Sequence, residues 1–278
     1  MMDIRLIAFD LDGTLLNGQK QLSENTVKEL KECVCRGIEI VPCTGRVWKA
    51  VPDFIRNFPG IHYAITANGA KVEDVKEGRL INERQMSCKK TVELLNWGRQ
   101  FRLMYDIYTD GRGFIEERFI GHMSEYGVVP WMEEVILGSR KPVPDVVEMM
   151  LKLNQPAEKI NYFFGDMEER ARIRALLSSR DDVVVCSSIP YNLELNEPGA
   201  TKGEALLRLA DYVGLDPSQT MCFGDGENDI SMLQMAGVGV AMENGIEAAK
   251  EAADYVTASN EEDGVARMLE RLLRDEIC

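Results

Sequence analysis

Two aspartates separated by one residue, Asp10 and Asp12, have the types and spacing that most directly suggest chemistry. They follow the apolar run from Ile4 to Phe9, which predicts a strand buried on both faces. Gly13 comes next, and an Asp-Gly pair favours a turn. Strand residues two apart point to the same side, so the two carboxylates would approach each other and need a cation or a proton between them. The sequence therefore predicts a site for a divalent cation such as Mg²⁺, with a turn of solvated acids as the plainer alternative.

Polar residues also stand at the end of the second predicted strand and at the start of a later helix. The strand from Ile38 to Cys43 ends in Thr44, Gly45 and Arg46, which suit a phosphoryl oxygen or, alternatively, cap the next helix. Lys202 opens a predicted helix, where its charge opposes the helix dipole. A bound phosphate would remove that conflict, whereas a lysine on the surface would tolerate it.

A second acidic loop follows the predicted strand from Thr220 to Phe223. It contains Asp225, Asn228 and Asp229 among glycines. The spacing matches neither the dinucleotide-binding glycine fingerprint nor a calcium-binding EF-hand loop. In parallel α/β sheets the carboxyl edge of the strands is where ligands bind, so carboxylates again stand at the end of a strand where a ligand could bind. A solvated acidic turn is the alternative.

Composition limits the classes of function. The 278 residues are 45% hydrophobic with a net charge of −14, which predicts a folded core and argues against binding to nucleic acid or anionic membranes. No apolar run approaches the ~20 residues of a membrane span, and no signal-peptide pattern is evident. Two histidines and scattered cysteines offer no zinc ligand set, and a Gly-x-Ser-x-Gly elbow is absent. We expect a cytoplasmic protein with reduced thiols; nothing in the sequence predicts an oligomeric state.

The pattern of predicted strands and helices changes near residues 83 and 189. Residues 1–82 and 190–278 alternate short apolar strands with helices, which predicts an α/β core with a doubly wound, mostly parallel, Rossmann-like sheet. Residues 83–189 mix helices and hairpins without a phosphate loop or nucleophile motif, which predicts an inserted α+β domain.

The four motifs DLDGTLL, CTGR, ATKG and GDGENDISML, in this order, resemble those of the haloacid dehalogenase-like superfamily of phosphohydrolases. More narrowly, the chain is similar to the Cof-type branch with a type IIB cap, in which the cap is inserted between the second and third motifs. The resemblance implies that residues 83–189 form a cap that sets substrate specificity. We expect that cap to open and close, with hinges near residues 82–85 and 187–191.

The resemblance also implies a role for each motif residue. Asp10 would be the nucleophile that forms an aspartyl-phosphate, and Asp12 the general acid and then base. Asp12 must hold a proton for the first step, so we expect the neighbouring acids to raise its pKa. The catalytic set would be Asp10, Asp12, Thr44 and Lys202; the metal set Asp10, Asp12 (through its main-chain carbonyl), Asp225 and Asp229; and the substrate- and phosphate-binding set Asp12, Gly13, Thr44, Gly45, Arg46, Lys202 and Asn228.

The predicted function is hydrolysis of small soluble phosphomonoesters with Mg²⁺ as cofactor. Sugar phosphates are the first expectation, with pyridoxal phosphate or flavin mononucleotide as alternatives. A phosphosugar mutase, which returns the phosphoryl group from Asp10 to another hydroxyl, would use the same core. A non-catalytic phosphate-binding protein is the third reading.

Overall fold

A computed structural model describes residues 3–276, which contain fourteen strands and ten α-helices. The strands are β1 (Leu6–Phe9), β2 (Glu39–Pro42), β3 (Tyr63–Thr66), β4 (Lys71–Asp74), β5 (Arg79–Glu83), β6 (Met104–Thr109), β7 (Arg112–Glu116), β8 (Arg140–Val143), β9 (Lys159–Phe163), β10 (Val184–Cys186), β11 (Asn192–Asn196), β12 (Thr220–Gly224), β13 (Val238–Met242) and β14 (Tyr255–Thr257). The helices are α1 (Glu24–Cys35), α2 (Asp53–Arg56), α3 (Cys88–Gly98), α4 (Pro130–Ser139), α5 (Val146–Leu153), α6 (Met167–Ser178), α7 (Lys202–Tyr212), α8 (Ile230–Met235), α9 (Glu247–Ala252) and α10 (Gly264–Leu273).

The described residues fall into two compact units. The first comprises residues up to Arg46, Val51–Glu83, and residues from Thr201 onward. The second comprises Val47–Ala50 and Arg84–Ala200. The sequence placed the end of the inserted domain at residue 189, but the second unit continues to Ala200 because β11 pairs with β9 and β10 of its sheet.

A five-stranded parallel sheet, in the order β14-β13-β12-β1-β2, forms the centre of the first unit. Every residue of β1 is buried, as expected for an inner strand of a sheet covered on both faces. Leu6 and Ala8 pack with apolar residues of α7, α8 and α9, while Ile7 and Phe9 point to the opposite face. The predicted α/β fold class with a mostly parallel core sheet is confirmed.

A small three-stranded sheet extends the first unit beside β2. Strands β3, β4 and β5 form an antiparallel sheet, and a parallel bridge between Cys43 and Ile65 connects it to the end of β2. The segment from residue 47 to residue 58 is not one continuous helix. Pro52 separates a 3₁₀ turn over Trp48–Ala50 from the single turn of α2, because proline has no amide proton to continue a helix.

The second unit is built on a six-stranded sheet in the order β10-β11-β9-β6-β7-β8, antiparallel except for the β7–β8 pair. One face of the sheet carries apolar side chains such as Ile107, Ile160 and Leu195, which belong to an apolar core with residues of α3, α5 and α6. The other face is polar, as described below.

Among residues 3–276, we find no helix that combines the length and the apolar character needed to cross a membrane. The cytoplasmic location stays a prediction.

Candidate active site

Asp10 and Lys202 meet at the carboxyl end of β1. Asp10 is the first residue after the strand, and its amide donates to the carbonyl of Phe223 in β12 (3.0 Å), which fixes the backbone there. Lys202 is the first residue of α7, which Thr201 caps by accepting from the amide of Glu204. The Lys202 ammonium donates to Asp10 Oδ1 at 2.8 Å and is fully buried, so the surface-lysine alternative is wrong.

Asp229 is the second partner of Lys202. Its Oδ1 accepts from the Lys202 ammonium at 2.5 Å. Its Oδ2 accepts from the main-chain amides of Asp225 and Gly226 at 2.9 and 2.8 Å, which holds the acidic loop after β12 in a closed turn. Asp229 therefore fixes Lys202 and organises the loop at the same time.

Three carboxylates converge at this edge of the sheet. Oxygen atoms of Asp10, Asp225 and Asp229 lie within 4.8 Å of one another. Burial, reinforced by the neighbouring acids, raises the pKa of Asp10 to about 8, although Lys202 opposes the rise. Burial and Asp229 raise the pKa of Asp225 to about 6. Burial lowers the pKa of Lys202, but Asp10 and Asp229 outweigh it and hold that pKa well above its usual value. The carboxylates thus carry more negative charge than one lysine can neutralise, which is the condition for binding a metal ion or a proton.

The loop after Asp10 is shaped to fit this cluster. Gly13 adopts a φ of +86°, and a Cβ atom there would lie 2.5 Å from Asp225 Oδ2. Thr14 donates its hydroxyl to Asp225 Oδ1 at 2.6 Å. Position 13 therefore requires glycine, since any larger residue would displace the Asp225 carboxylate. Position 14 requires a small residue with a hydroxyl group that can donate to that carboxylate.

Asp12 lies apart from the three-acid cluster and is bound by two cations. Arg46 forms a bidentate pair with it, with both nitrogen–oxygen distances at 2.7 Å, and Lys20 adds a third contact at 2.7 Å. Burial raises the pKa of Asp12, but the hydrogen bond and charge of Arg46, together with Lys20, lower it below its usual value. The prediction that nearby acids raise this pKa is wrong, because cations rather than Asp10 surround the carboxylate.

Thr44, Gly45 and Arg46 follow β2, which lies beside β1 in the sheet. Thr44 is buried, and its hydroxyl accepts from the Arg46 amide at 3.2 Å. Its own amide donates to Ile65 of β3 at 2.9 Å. Adjacent parallel strands end at the same edge, so this turn lies next to the residues that follow β1.

The side-chain amide of Asn228 donates to Asn68 Oδ1 at 3.1 Å. Asn68 is buried and follows β3 in a left-handed conformation, with φ of 62°, between Ala67 and Gly69, which also have positive φ. Consecutive residues in this region are strained unless they are glycine, and such strain concentrates at functional sites. The buried side chain of Asn68 favours a polar turn on the ligand edge over a plain surface turn.

Three residues that contribute to the geometry were not among the site residues predicted from the sequence. Lys20 contacts Asp12, Thr14 contacts Asp225, and Asn244 donates to the main-chain carbonyl of Gly13 at 2.8 Å. Only Thr14 lies within a motif; the polar type of Lys20 and Asn244 is common on surfaces and gave no signal.

This fold and this arrangement of acids with a buried lysine define a class of protein. A family model described as haloacid dehalogenase-like hydrolase matches residues 7–269, so the chain belongs to that family. The family, fold class and hydrolase class expected from the four motifs are therefore confirmed.

Individual relatives agree with this membership. The chain is 33% identical to phosphatase YwpJ of Bacillus subtilis (strain 168) over 288 residues, with 97% of this chain and 100% of that protein covered. It is 28% identical to 5-amino-6-(5-phospho-D-ribitylamino)uracil phosphatase YcsE of the same organism over 268 residues, covering 96% and 95% of the two chains. The solved structure of a haloacid dehalogenase-like hydrolase from B. subtilis matches with a TM-score of 0.86 at 31% identity, covering 97% and 100%. The chain is thus an enzyme of this hydrolase family, and the named relatives are phosphatases.

Proposed function

We propose that this enzyme is a Mg²⁺-dependent phosphatase that hydrolyses small phosphomonoesters through an aspartyl-phosphate on Asp10. The observation that carries the proposal is the buried Lys202 ammonium, 2.8 Å from Asp10 Oδ1 and 2.5 Å from Asp229 Oδ1, beside a third carboxylate. A nucleophilic carboxylate, a fixed cation and a group of oxygen ligands at one strand end are the parts that phosphoryl transfer requires.

The donor set fits Mg²⁺. All three side chains in the cluster, Asp10, Asp225 and Asp229, offer carboxylate oxygens, which a hard cation prefers over nitrogen or sulfur. The main-chain carbonyl of Asp12 would complete the protein ligands. When bound, Mg²⁺ would neutralise charge on the transferring phosphoryl group. Burial and, after it, the neighbouring acids raise the pKa values of Asp10 and Asp225, and a bound cation would offset the repulsion among these acids.

Asp10 would attack the phosphorus atom, and the ester oxygen would leave. Lys202 would offset the repulsion between the Asp10 carboxylate and the phosphate dianion. Its hydrogen bond to Asp10 fixes the orientation of that carboxylate. In the second step, water attacks the phosphorus of the aspartyl-phosphate, which releases inorganic phosphate and restores the Asp10 carboxylate. The remaining phosphate contacts would come from the hydroxyl of Thr44 and from Gly13, Gly45, Arg46 and Asn228.

Asp12 would donate a proton to the leaving alkoxide and then accept one from the attacking water. In the structure Arg46 and Lys20 hold Asp12 as a carboxylate. A substrate phosphate carries two negative charges and would compete with Asp12 for both cations. That competition would weaken their hold on Asp12 and let it take up the proton that the first step consumes.

The substrate class that we propose is sugar phosphates, with pyridoxal phosphate and flavin mononucleotide as further members of a test panel. YcsE carries the name of a phosphatase for a phosphoribityl compound, which adds polyol phosphates to that panel. We propose that the inserted region around residues 83–189 is the cap that sets this specificity.

The test is Asp10→Asn, assayed for release of phosphate from 4-nitrophenyl phosphate and from the panel with Mg²⁺. We expect turnover to fall on the order of 10⁴-fold, because the amide cannot act as the nucleophile. Asp211→Asn, an exposed aspartate on α7, is the matched control and should retain full activity. Circular dichroism of both variants checks that they are folded. Mg²⁺-dependent turnover that survives in Asp10→Asn would refute the mechanism, and free phosphate release distinguishes hydrolysis from a mutase.

A further inference from the structure

The turn that follows β3 belongs to the first unit and has no part in the chemistry proposed above. Its three residues, Ala67, Asn68 and Gly69, have φ angles of 49°, 62° and 99°. We call them the left-handed turn. Alanine is disfavoured in this region of backbone conformation, so the surroundings must hold the turn in place. Ala67 and Asn68 are both buried, which agrees with that requirement.

Main-chain hydrogen bonds join the left-handed turn to the segment that follows β2. The amide of Ala67 donates to the carbonyl of Arg46 at 2.9 Å, and the amide of Asn68 donates to the carbonyl of Thr44 at 3.1 Å. In the other direction, the amide of Thr44 donates to the carbonyl of Ile65 at 2.9 Å. The position of Thr44, a residue expected to bind phosphate, therefore depends on the conformation of this turn.

The left-handed turn also packs against the start of α7. A Cβ atom on Gly69 would lie 2.3 Å from the main-chain oxygen of Thr201, the residue that caps this helix before Lys202. Any side chain at position 69 would push the turn and the helix apart. The turn is thus fitted between the segment of Thr44 and the helix that carries Lys202.

The side chain of Asn68 reaches a third segment, the acidic loop after β12. Asn68 Oδ1 accepts from the side-chain amide of Asn228 at 3.1 Å. An asparagine amide has two N–H donors in one plane, so a bond to one of them fixes the direction of the other. Among residues 3–276, no acceptor takes the second N–H of Asn228. That N–H is the donor that Asn228 would offer to a phosphoryl oxygen.

We propose that Asn68 is a positioning residue for phosphate binding, which sets Thr44 through its main-chain amide and orients Asn228 through its side-chain carbonyl. The inference rests on the proposed phosphatase function and describes how its phosphate site is assembled. Without the Asn68 carbonyl, the Asn228 amide would be free to rotate, and phosphate binding would have to restrict it. Because Asn228 would contact the phosphoryl group before and during transfer, the loss should affect KM more than kcat.

The test begins with Asn68→Gly in the full-length enzyme. Glycine adopts the left-handed conformation without strain, so this substitution removes the side chain and preserves the backbone. We would measure KM and kcat for 4-nitrophenyl phosphate and, by calorimetry, the Kd of inorganic phosphate, all with Mg²⁺. KM and Kd should rise about three- to tenfold, while kcat should change by less than about twofold.

A double-mutant cycle separates positioning from a general structural role. If Asn68 acts through Asn228, Asn68→Gly should not weaken phosphate binding further in an Asn228→Ala background. A residue that only supported the fold would weaken binding in both backgrounds. The matched control is Asn154→Gly, which changes another left-handed asparagine, at the end of α5, and should keep both constants at the wild-type values.

Thermal unfolding of each variant checks that it is folded at the assay temperature, and Asn68→Ala replaces Asn68→Gly in the cycle if the latter is not. The inference is overturned if the Asn68 variant keeps the wild-type Kd and KM, or if the two substitutions weaken phosphate binding additively. A wild type that binds phosphate but hydrolyses no ester would contradict the proposed function, and the calorimetric cycle would still test Asn68. A wild type that binds no phosphate would overturn both proposals.

Discussion

Two polar regions of this protein treat charge in opposite ways. At the carboxyl edge of the parallel sheet, Asp10, Asp225 and Asp229 gather around the single buried cation Lys202. On the polar face of the antiparallel sheet, the buried acids Asp106 and Glu194 each have a cationic partner. The first region has an excess of negative charge, and the second is balanced.

This difference in charge balance determines what each region can bind. Burial and, after it, the neighbouring acids raise the pKa of Asp10 to about 8, and a cluster of such carboxylates favours a divalent cation. Balanced pairs have already neutralised each other, and separating one of them to bind an ionic ligand would be costly.

The largest effect on folding is expected from Lys202→Met. It leaves Asp10 and Asp229 without their buried cation, so the free energy of unfolding should fall by about 3–5 kcal/mol and phosphatase turnover should be lost. Urea denaturation and phosphate release measure the two effects.

Lys152→Met provides the matched control, because Lys152 forms only an exposed pair with Glu148 and should change stability by less than about 0.5 kcal/mol. Adding Asp229→Asn to Lys202→Met should recover part of the lost stability by removing one of the unpaired charges. An unchanged midpoint of urea denaturation in Lys202→Met would show that Asp10 and Asp229 do not need this lysine to be stable in the folded protein.

The second prediction concerns pH and Mg²⁺. The pKa of Asp10 rises on folding from its usual 3.8 to about 8, and that of Asp225 to about 6. A carboxyl group with a raised pKa stabilises the folded state fully below its unfolded pKa and loses this contribution as the pH rises through the folded pKa. The metal-free protein should therefore lose stability between about pH 4 and pH 8, and Mg²⁺ should raise the melting temperature more at pH 8 than at pH 5.

Thermal unfolding with EDTA or MgCl₂ at the two pH values measures this difference. Asp10→Asn serves as the control, since it removes the group with the larger shift and should reduce the dependence of the Mg²⁺ effect on pH. An equal Mg²⁺ effect at both pH values in the wild type would argue that the cation binds elsewhere.

The smallest effect is expected from Lys20→Met. Lys20 is about half exposed and contacts Asp12 at 2.7 Å, so its loss should change the free energy of unfolding by less than about 1 kcal/mol. If Lys20 transfers from Asp12 to the substrate phosphate, KM should rise about three- to tenfold with little change in kcat. Lys20→Arg keeps the charge and should stay near the wild type. An unchanged KM in Lys20→Met would show that Lys20 pairs with Asp12 in the substrate-free enzyme and does not bind the substrate phosphate.

Much of the first region could be predicted from the sequence because its residues are tied to strand ends. Asp10 and Asp225 each follow a short apolar run, and parallel strands bring such positions to one edge. Lys202 was recognisable because a lysine at a helix start conflicts with the helix dipole. Local patterns and chain order were therefore enough to identify this set of residues.

The surroundings of Asp12 could not be predicted in the same way. Its spacing from Asp10 suggested that acids would raise its pKa. Instead Arg46, from the loop after β2, and Lys20, from the same loop as Asp12, contact it and lower that pKa. The pKa of a carboxyl group depends on which charges lie within a few ångströms, and sequence distance does not give that separation.

The sequence by itself determined the parallel core, the insertion and the four motifs, since apolar periodicity and turn residues encode local structure directly. Only the tertiary structure decided that Asp229 shares Lys202 with Asp10, that Asn244 supports the Gly13 loop, and that Asn161 lies between Asp106 and Glu194. The physical reason is that each of these contacts joins residues from separate strands or loops. Pairing register and loop conformation, which the whole fold fixes, decide which side chains meet.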